Sequence, residues 1–208
     1  MSAAGDPALA SPRVRARRRR RRGEILAAAL RAFRDQGYHA TTLDDLAAQL
    51  DVRKAALYHY FPDKEAILYA CHRESLLEVG RLIAEARTRY DSAAEQLAHV
   101  IREHVRVMTD TLQGSPFAFD VAALSPAHQR RVIAARDTYE RQLREIIEAG
   151  VRRGEFARVS PKIAVFAILG AINWIARWYR PDGPVRGPEL GQQFAQHLVG
   201  GVTCHRRP

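Results

Sequence analysis

TTLDDLAAQLDVRKAALYHYFPDK, residues 41–64, reads as two short helices around one tight turn. Leu43, Leu46, Ala47 and Leu50 recur at helical spacing and line one face of the first helix. Thr42 followed three residues later by Asp45 forms a capping-box start, and Asp44 and Asp45 set negative charge at the helix's positive end. Asp51 stands where the chain must turn, and aspartate tolerates the left-handed conformation better than most residues. A second helix is predicted from about Lys54 to Tyr60. Pro62 pushes Phe61 out of helical geometry and closes it.

Two such helices make a helix-turn-helix, whose second member can lie in a DNA major groove. Here that helix hides Leu57 and Tyr60 and presents Arg53, Lys54, Ala55, Tyr58 and His59, with Ala56 beside them. Cations, a phenol and an imidazole next to small alanines allow close approach to base edges. The other reading of the same residues is a packed helical hairpin with a solvated basic face.

The segment TTLDDLAAQLDVRKAALYHYFPDKEAIL resembles the DNA-binding domain of TetR-type transcriptional regulators, with likeness running from about Arg22 to Tyr69. Its most specific part is LYHYFPDKEAIL, Leu57 to Leu68. The chain departs from the common pattern at Asp51, where glycine is frequent, and at Arg53, where serine is frequent. Losing that serine removes a cap from the second helix and adds a cation near the phosphates. The resemblance implies DNA contacts at Thr41, Thr42, Arg53, Lys54, Ala55, Ala56, Tyr58, His59 and Tyr60, with Lys64 on a phosphate. Backbone N–H groups at Thr42's helix start could also hold a phosphate.

The chain's 208 residues suit a small domain plus a larger one. Of the net charge of +10, Arg13, Arg15 and the run Arg17–Arg22 supply 8, leaving +2 for the remainder. Basicity concentrated in this way reads as a nucleic-acid arm, with Arg21 and Arg22 nearest the helix-turn-helix; a solvated charge run is the alternative. The expected division is a disordered arm over 1–17, a DNA-binding domain over 18–63, and a ligand-binding and dimerisation domain over 64–203. Cys71 and Cys204 lie far apart, so no disulfide framework is indicated, in keeping with a cytoplasmic, nucleoid-associated location. The longest apolar stretch, Ile163–Ile172, is too short for a hydrocarbon core about 30 Å thick, and no membrane partner is expected.

The first helix is predicted over about 18–36, with Ile25, Ala29 and Phe33 on one face, Leu26 and Leu30 beside it, and Gly37 as its C-terminal cap. Asp63 caps a long helix to about Tyr90, whose apolar stripe includes Ile67, Cys71, Val79, Leu82 and Ala86. Beyond it, Ser-Pro pairs at 115–116, 125–126 and 160–161 mark helix starts. The expected helices there span about 92–113, 116–124, 126–153, 161–180 and 188–202. No strand alternation or internal repeat is present. The fold is expected to be all-α, with about nine helices.

No HExxH, GxSxG, GxGxxG or GxxxxGK motif is present, so an enzyme is not expected, and no cofactor or metal either. The remaining candidate is a small-molecule pocket in the larger domain. His104 and Met108 fall on one helix face, while Phe117, Phe119 and Tyr139 come from neighbouring segments. Methionine and aromatics around a cavity suit an apolar ligand, although each alone also reads as core.

The segment LGAINWIARWYRPDG, residues 169–183, places Trp174 and Trp178 on one face beside Asn173 and Arg177. It is similar to the C-terminal domain of TetR-type regulators of sterol, fatty-acid and phenylacetate breakdown, several of which respond to acyl-CoA thioesters. In the same family the last two helices form a four-helix bundle with a second subunit, and Ala167, Gly170 and Ala171 would permit that approach. Ligand contact and dimer interface both remain open for this helix. The resemblance implies a homodimeric repressor that binds double-stranded operator DNA and is released by a small hydrophobic effector, with an acyl-CoA as the candidate. A non-specific nucleic-acid binder and a thioester-binding enzyme are the alternatives.

Overall fold

The helices of this chain begin where short polar side chains can cap them. In the computed structural model, which describes residues 11–111 and 121–203, α1 (Pro12–Gln36) starts at Ser11, whose hydroxyl accepts from the Val14 amide at 3.4 Å. It ends at Gly37, held at φ 85, a conformation that glycine adopts freely. The arginine run is therefore helical, where a start near Arg18 and a disordered arm were expected. Ser11-Pro12 is a cap followed by a first-turn proline, and it overrides the composition of residues 12–17. Residues 1–10 lie outside the described residues.

α2 (Leu43–Gln49) and α3 (Lys54–Tyr58) follow, with Asp51 at φ 51 in the turn between them. α3 stops two residues before the expected Tyr60; the Tyr60 and Phe61 amides both return to the Leu57 carbonyl. Together with the start of α4 (Lys64–Arg89), these helices form the first of two compact units, Met1–Ile67. Ile25, Leu30, Phe33, Leu46, Leu57, Phe61 and Ile67 are among its large buried side chains.

The second unit, Leu68–Pro208, contains the rest of α4 with α5 (Ala93–Arg106), α6 (Pro126–Arg152), α7 (Pro161–Trp178) and α8 (Gly187–Gly200). Its core joins Val79, Leu82, Ile83 and Ala86 of α4 to Leu97 and Ile101 of α5, Leu143 and Ile147 of α6, and Ile168 and Ile172 of α7. α5 packs most extensively on α8, where Gly191 lets the helices approach: a Cβ there would sit 3.0 Å from the Arg102 carbonyl oxygen. At Gly150 a Cβ would run into the Phe156 ring. Glu155 caps α5, accepting from the Ser92 hydroxyl at 2.8 Å and the Ala94 amide at 3.0 Å. Burial raises the Glu155 pKa, but these bonds and the α5 N-terminus outweigh it, and the net shift is downward.

Among the described residues there are eight α-helices and no strand, only an isolated bridge between Phe156 and Thr203. α5 gives way to a π turn at Val107–Thr111. The helix expected at 116–124 falls mostly outside the described residues, and Val121–Ala123 is a 3₁₀ turn. No described helix is long and apolar enough to cross a membrane.

Candidate nucleic-acid interface

In the first unit, one set of side chains turns inward and holds the helix-turn-helix, and a second set turns outward. The Thr42 hydroxyl accepts from the Asp45 amide at 3.1 Å, and Asp45 accepts from the Thr42 amide at 2.8 Å, a complete capping box. These bonds hold the Asp45 carboxyl below its usual pKa. They also commit the Thr42 amide and hydroxyl. Thr41 is fully buried, its hydroxyl donating to the Gly37 carbonyl at 2.9 Å. Lys64 donates to the carbonyls of Tyr38 (2.7 Å), His39 (3.3 Å) and Thr41 (2.7 Å), and its ammonium lies 4.4 Å from the Tyr38 ring centre. Burial pushes the Lys64 pKa below the usual lysine range. Thr41, Thr42 and Lys64 thus spend their polar atoms inside the unit.

The outward face belongs to α3. Arg53, Lys54, Ala55, Tyr58 and His59 are exposed, Tyr58 at 50%, whereas Ala56 and Tyr60 are half-buried and Leu57 is buried. Arg53 makes no capping hydrogen bond, the consequence expected from serine's absence there. Lys54 pairs with Asp44 at 2.8 Å across the turn, which raises the lysine pKa. This exposed pair orients Lys54 more than it stabilises the fold.

The arginine helix is fastened to the same unit. The Arg18 guanidinium donates to the His59 carbonyl at 3.4 Å, and that of Arg22 lies 4.3 Å from the Phe61 ring centre. Arg21 reaches Glu24 at 2.7 Å and the Leu50 carbonyl at 3.5 Å. Arg21 and Arg22, singled out as DNA contacts, brace α1 against the helix-turn-helix. Arg13, Arg15, Arg17 and Arg19 are exposed along the rod. Like charges at three- and four-residue spacing repel, and α1 has no acid in its first turn. A polyanion would relieve that repulsion.

In the second unit, His104 and Met108 are buried, and the His104 Nδ1 shares a 3.0 Å hydrogen bond with the Tyr139 hydroxyl. Burial lowers the His104 pKa to about 4 and raises that of Tyr139. Phe117 and Phe119 lie outside the described residues. On α7, Asn173 is half-buried with its Oδ1 enclosed and unbonded, while Trp174 and Trp178 are 64% and 44% exposed and Arg177 is exposed. The structure therefore joins His104, Met108 and Tyr139 in the interior and places Trp174, Arg177 and Trp178 on a surface.

Sequence reasoning missed two features. His72 is 1% exposed, and burial with the nearby Arg136 charge lowers its pKa to about 4. A 520 Å³ cleft opens between α4 and α6, bordered by Leu76, Gly80 and Arg81 on one side and Arg131, Val132 and Tyr139 on the other. Its residues lie some sixty positions apart, so no local spacing announces it.

Residues 25–71 match the family model "Bacterial regulatory proteins, tetR family", and residues 90–202 match "Tetracyclin repressor-like, C-terminal domain". The chain is similar to the HTH-type transcriptional repressor KstR2 of Mycobacterium tuberculosis, at 24% identity over 88% of this chain and 93% of that protein. It is also similar to the crystal structure of the TetR family regulator PfmR from Thermus thermophilus, with 34% identity, a TM-score of 0.76, and 86% and 99% of the two chains covered. AibR, whose crystal structure was solved in complex with isovaleryl coenzyme A and operator DNA, shares the fold at a TM-score of 0.73 and 24% identity, over 88% of this chain and 98% of AibR.

Proposed function

The chain belongs to the tetR family of bacterial regulatory proteins, and on that premise we propose a homodimeric repressor released from its operator by a small hydrophobic effector. The observation that carries DNA reading is the exposed face of α3: Arg53, Lys54, Ala55, Tyr58 and His59 project outward while Leu57 anchors the helix. Each subunit places this face in one of two successive major grooves, about 34–36 Å apart on an inverted-repeat operator. Arg13, Arg15, Arg17 and Arg19 add sequence-independent contacts to flanking phosphates.

The dimer forms through α7 and α8. On α7, Ile163 (63% exposed), Phe166 (51%), Trp174 and Trp178 lie along one stripe with Ala167 and Gly170. Apolar side chains left exposed at this spacing suit a second helix pair. This favours the dimer role for Trp174 and Trp178 over direct ligand contact.

The effector binds the second unit. The AibR complex supports an acyl-CoA thioester, since a protein of this fold holds isovaleryl coenzyme A. Moving a regulator from 1:99 to 99:1 released requires about 5.5 kcal/mol of preference for the released state. A ligand of that size can supply it.

The test is Tyr58→Ala in the full-length protein. It should weaken binding to the chain's own upstream DNA at least tenfold and leave calorimetric acyl-CoA binding unchanged. Loss of both activities together, or equal affinity of the wild type for operator and random duplex, would overturn the reading.

A further inference from the structure

The first turn of α2 carries two adjacent aspartates with different partners. Asp45 completes the capping box, accepting from the Thr42 amide at 2.8 Å. Asp44 reaches the next helix instead, where its Oδ2 accepts from the Lys54 ammonium at 2.8 Å. This contact ties the start of α2 to the first residue of α3.

Stability does not account for the pair. The Asp44 and Lys54 side chains are 67% and 43% exposed, and an ion pair so open to water contributes little to folding. A carboxylate beside the DNA-reading face also carries a cost, because it repels the phosphates that supply the sequence-independent part of affinity. Its position points to selection between duplexes, which an unfavourable contact sharpens as well as a favourable one does.

The selection would run through Lys54. Lys54 and Tyr58 stand four apart on one face of α3, and both are exposed. With one ammonium hydrogen donated to Asp44, two remain for DNA. A phosphate met at an arbitrary register must draw the flexible lysine away and leave a bare carboxylate facing the DNA backbone. An acceptor on a base edge, in line with the two remaining N–H groups, is met without breaking the pair.

We propose that Asp44 is a positioning residue for DNA recognition: by holding Lys54 across the helix-turn-helix, it suppresses binding to random duplex and so raises sequence discrimination. This rests on the DNA-reading function above and adds a residue of α2 to the work of α3.

The experiment uses full-length protein and fluorescence anisotropy across a salt series, with the chain's own upstream DNA and a random-sequence duplex of equal length. Asp44→Asn should tighten random-duplex binding roughly fivefold and steepen its salt slope by about 0.9, as Lys54 gains a phosphate. The ratio of upstream to random affinity should fall several-fold. Asp44→Glu should restore the ratio, since it returns a carboxylate within reach of Lys54. In a Lys54→Met background, Asp44→Asn should leave the ratio where Lys54→Met alone puts it. An unchanged ratio in folded Asp44→Asn overturns the proposal, even if the thermal midpoint falls, because Asp44 would then serve only the α2 dipole. A drop in ratio of the same size with and without Lys54 overturns it too. If Asp44→Asn does not fold, Asp44→Ser is held to the same criteria. Wild-type protein that binds both duplexes equally refutes the DNA-reading function, whereas a wild-type preference that the Asp44 variants leave intact refutes the role of Asp44 alone.

Discussion

The ammonium of Lys64 donates to the carbonyl of Thr41 at 2.7 Å, tying the first turn of α4 to the residue just before the α2 cap. Two further carbonyls, of Tyr38 and His39, share the same cation. Three backbone acceptors in one loop thus depend on one side chain. Lys64→Met should lower the stability of the DNA-binding unit by about 1 kcal/mol, the net worth of a partly buried hydrogen bond. Arginine should restore little, because its planar fork does not reproduce three converging donors. Denaturant unfolding of the two variants checks this. Unchanged midpoints would return Lys64 to the phosphate role that the family resemblance implies.

Salt dependence tests the exposed arginines. Each neutralised phosphate steepens the logarithmic slope by about 0.9, so replacing Arg13, Arg15, Arg17 and Arg19 by glutamine should flatten it by up to about 3.6. Arg22→Gln should act differently, lowering thermal stability through loss of its contact with Phe61. Fluorescence anisotropy of operator DNA across a salt series separates the two effects. A slope unmoved by the fourfold change would mean that the rod does not touch DNA.

Buried histidines set a pH dependence. His72 and His104 both fall from an ordinary 6.5 to about 4 in the folded chain. The unfolded state takes up their protons first, so stability should fall as pH drops from 6.5 towards 4. The loss is about 1.4 kcal/mol per pH unit for each histidine. Asp45 and Glu155, whose carboxyls are depressed, also cost stability on acidification, but below their ordinary values of 3.8 and 4.5. Between pH 5 and 6.5 the slope therefore belongs to the histidines. A His72→Gln, His104→Gln double variant should flatten it in urea titrations at stepped pH; an unchanged slope would place the protons elsewhere.

Much of this architecture was legible from local chemistry. The Thr42–Asp45 box, the left-handed Asp51, the Gly37 cap and the starts of α6 and α7 after Ser125 and Ser160 are each written within a few residues. The start of α1 follows the same Ser-Pro rule, but a dense cationic run obscured it. Features set by distant residues were not legible. Lys64 meets carbonyls 23 to 26 positions away, and the cleft joins helices far apart in the chain. For Trp174 and Trp178, periodicity gives the stripe but not the surface that it meets.

In α1 the buried residues begin at Ile25, and every residue from Ser11 to Arg20 is exposed. The exposed cations and the buried core residues thereby occupy separate halves of a single helix. Each turn gained or lost at the far end would change the protein's reach by about 5.4 Å while leaving the core's residues as they are. If the exposed arginines touch DNA as proposed, lineages could retune that hold by editing a segment that contributes no buried side chain.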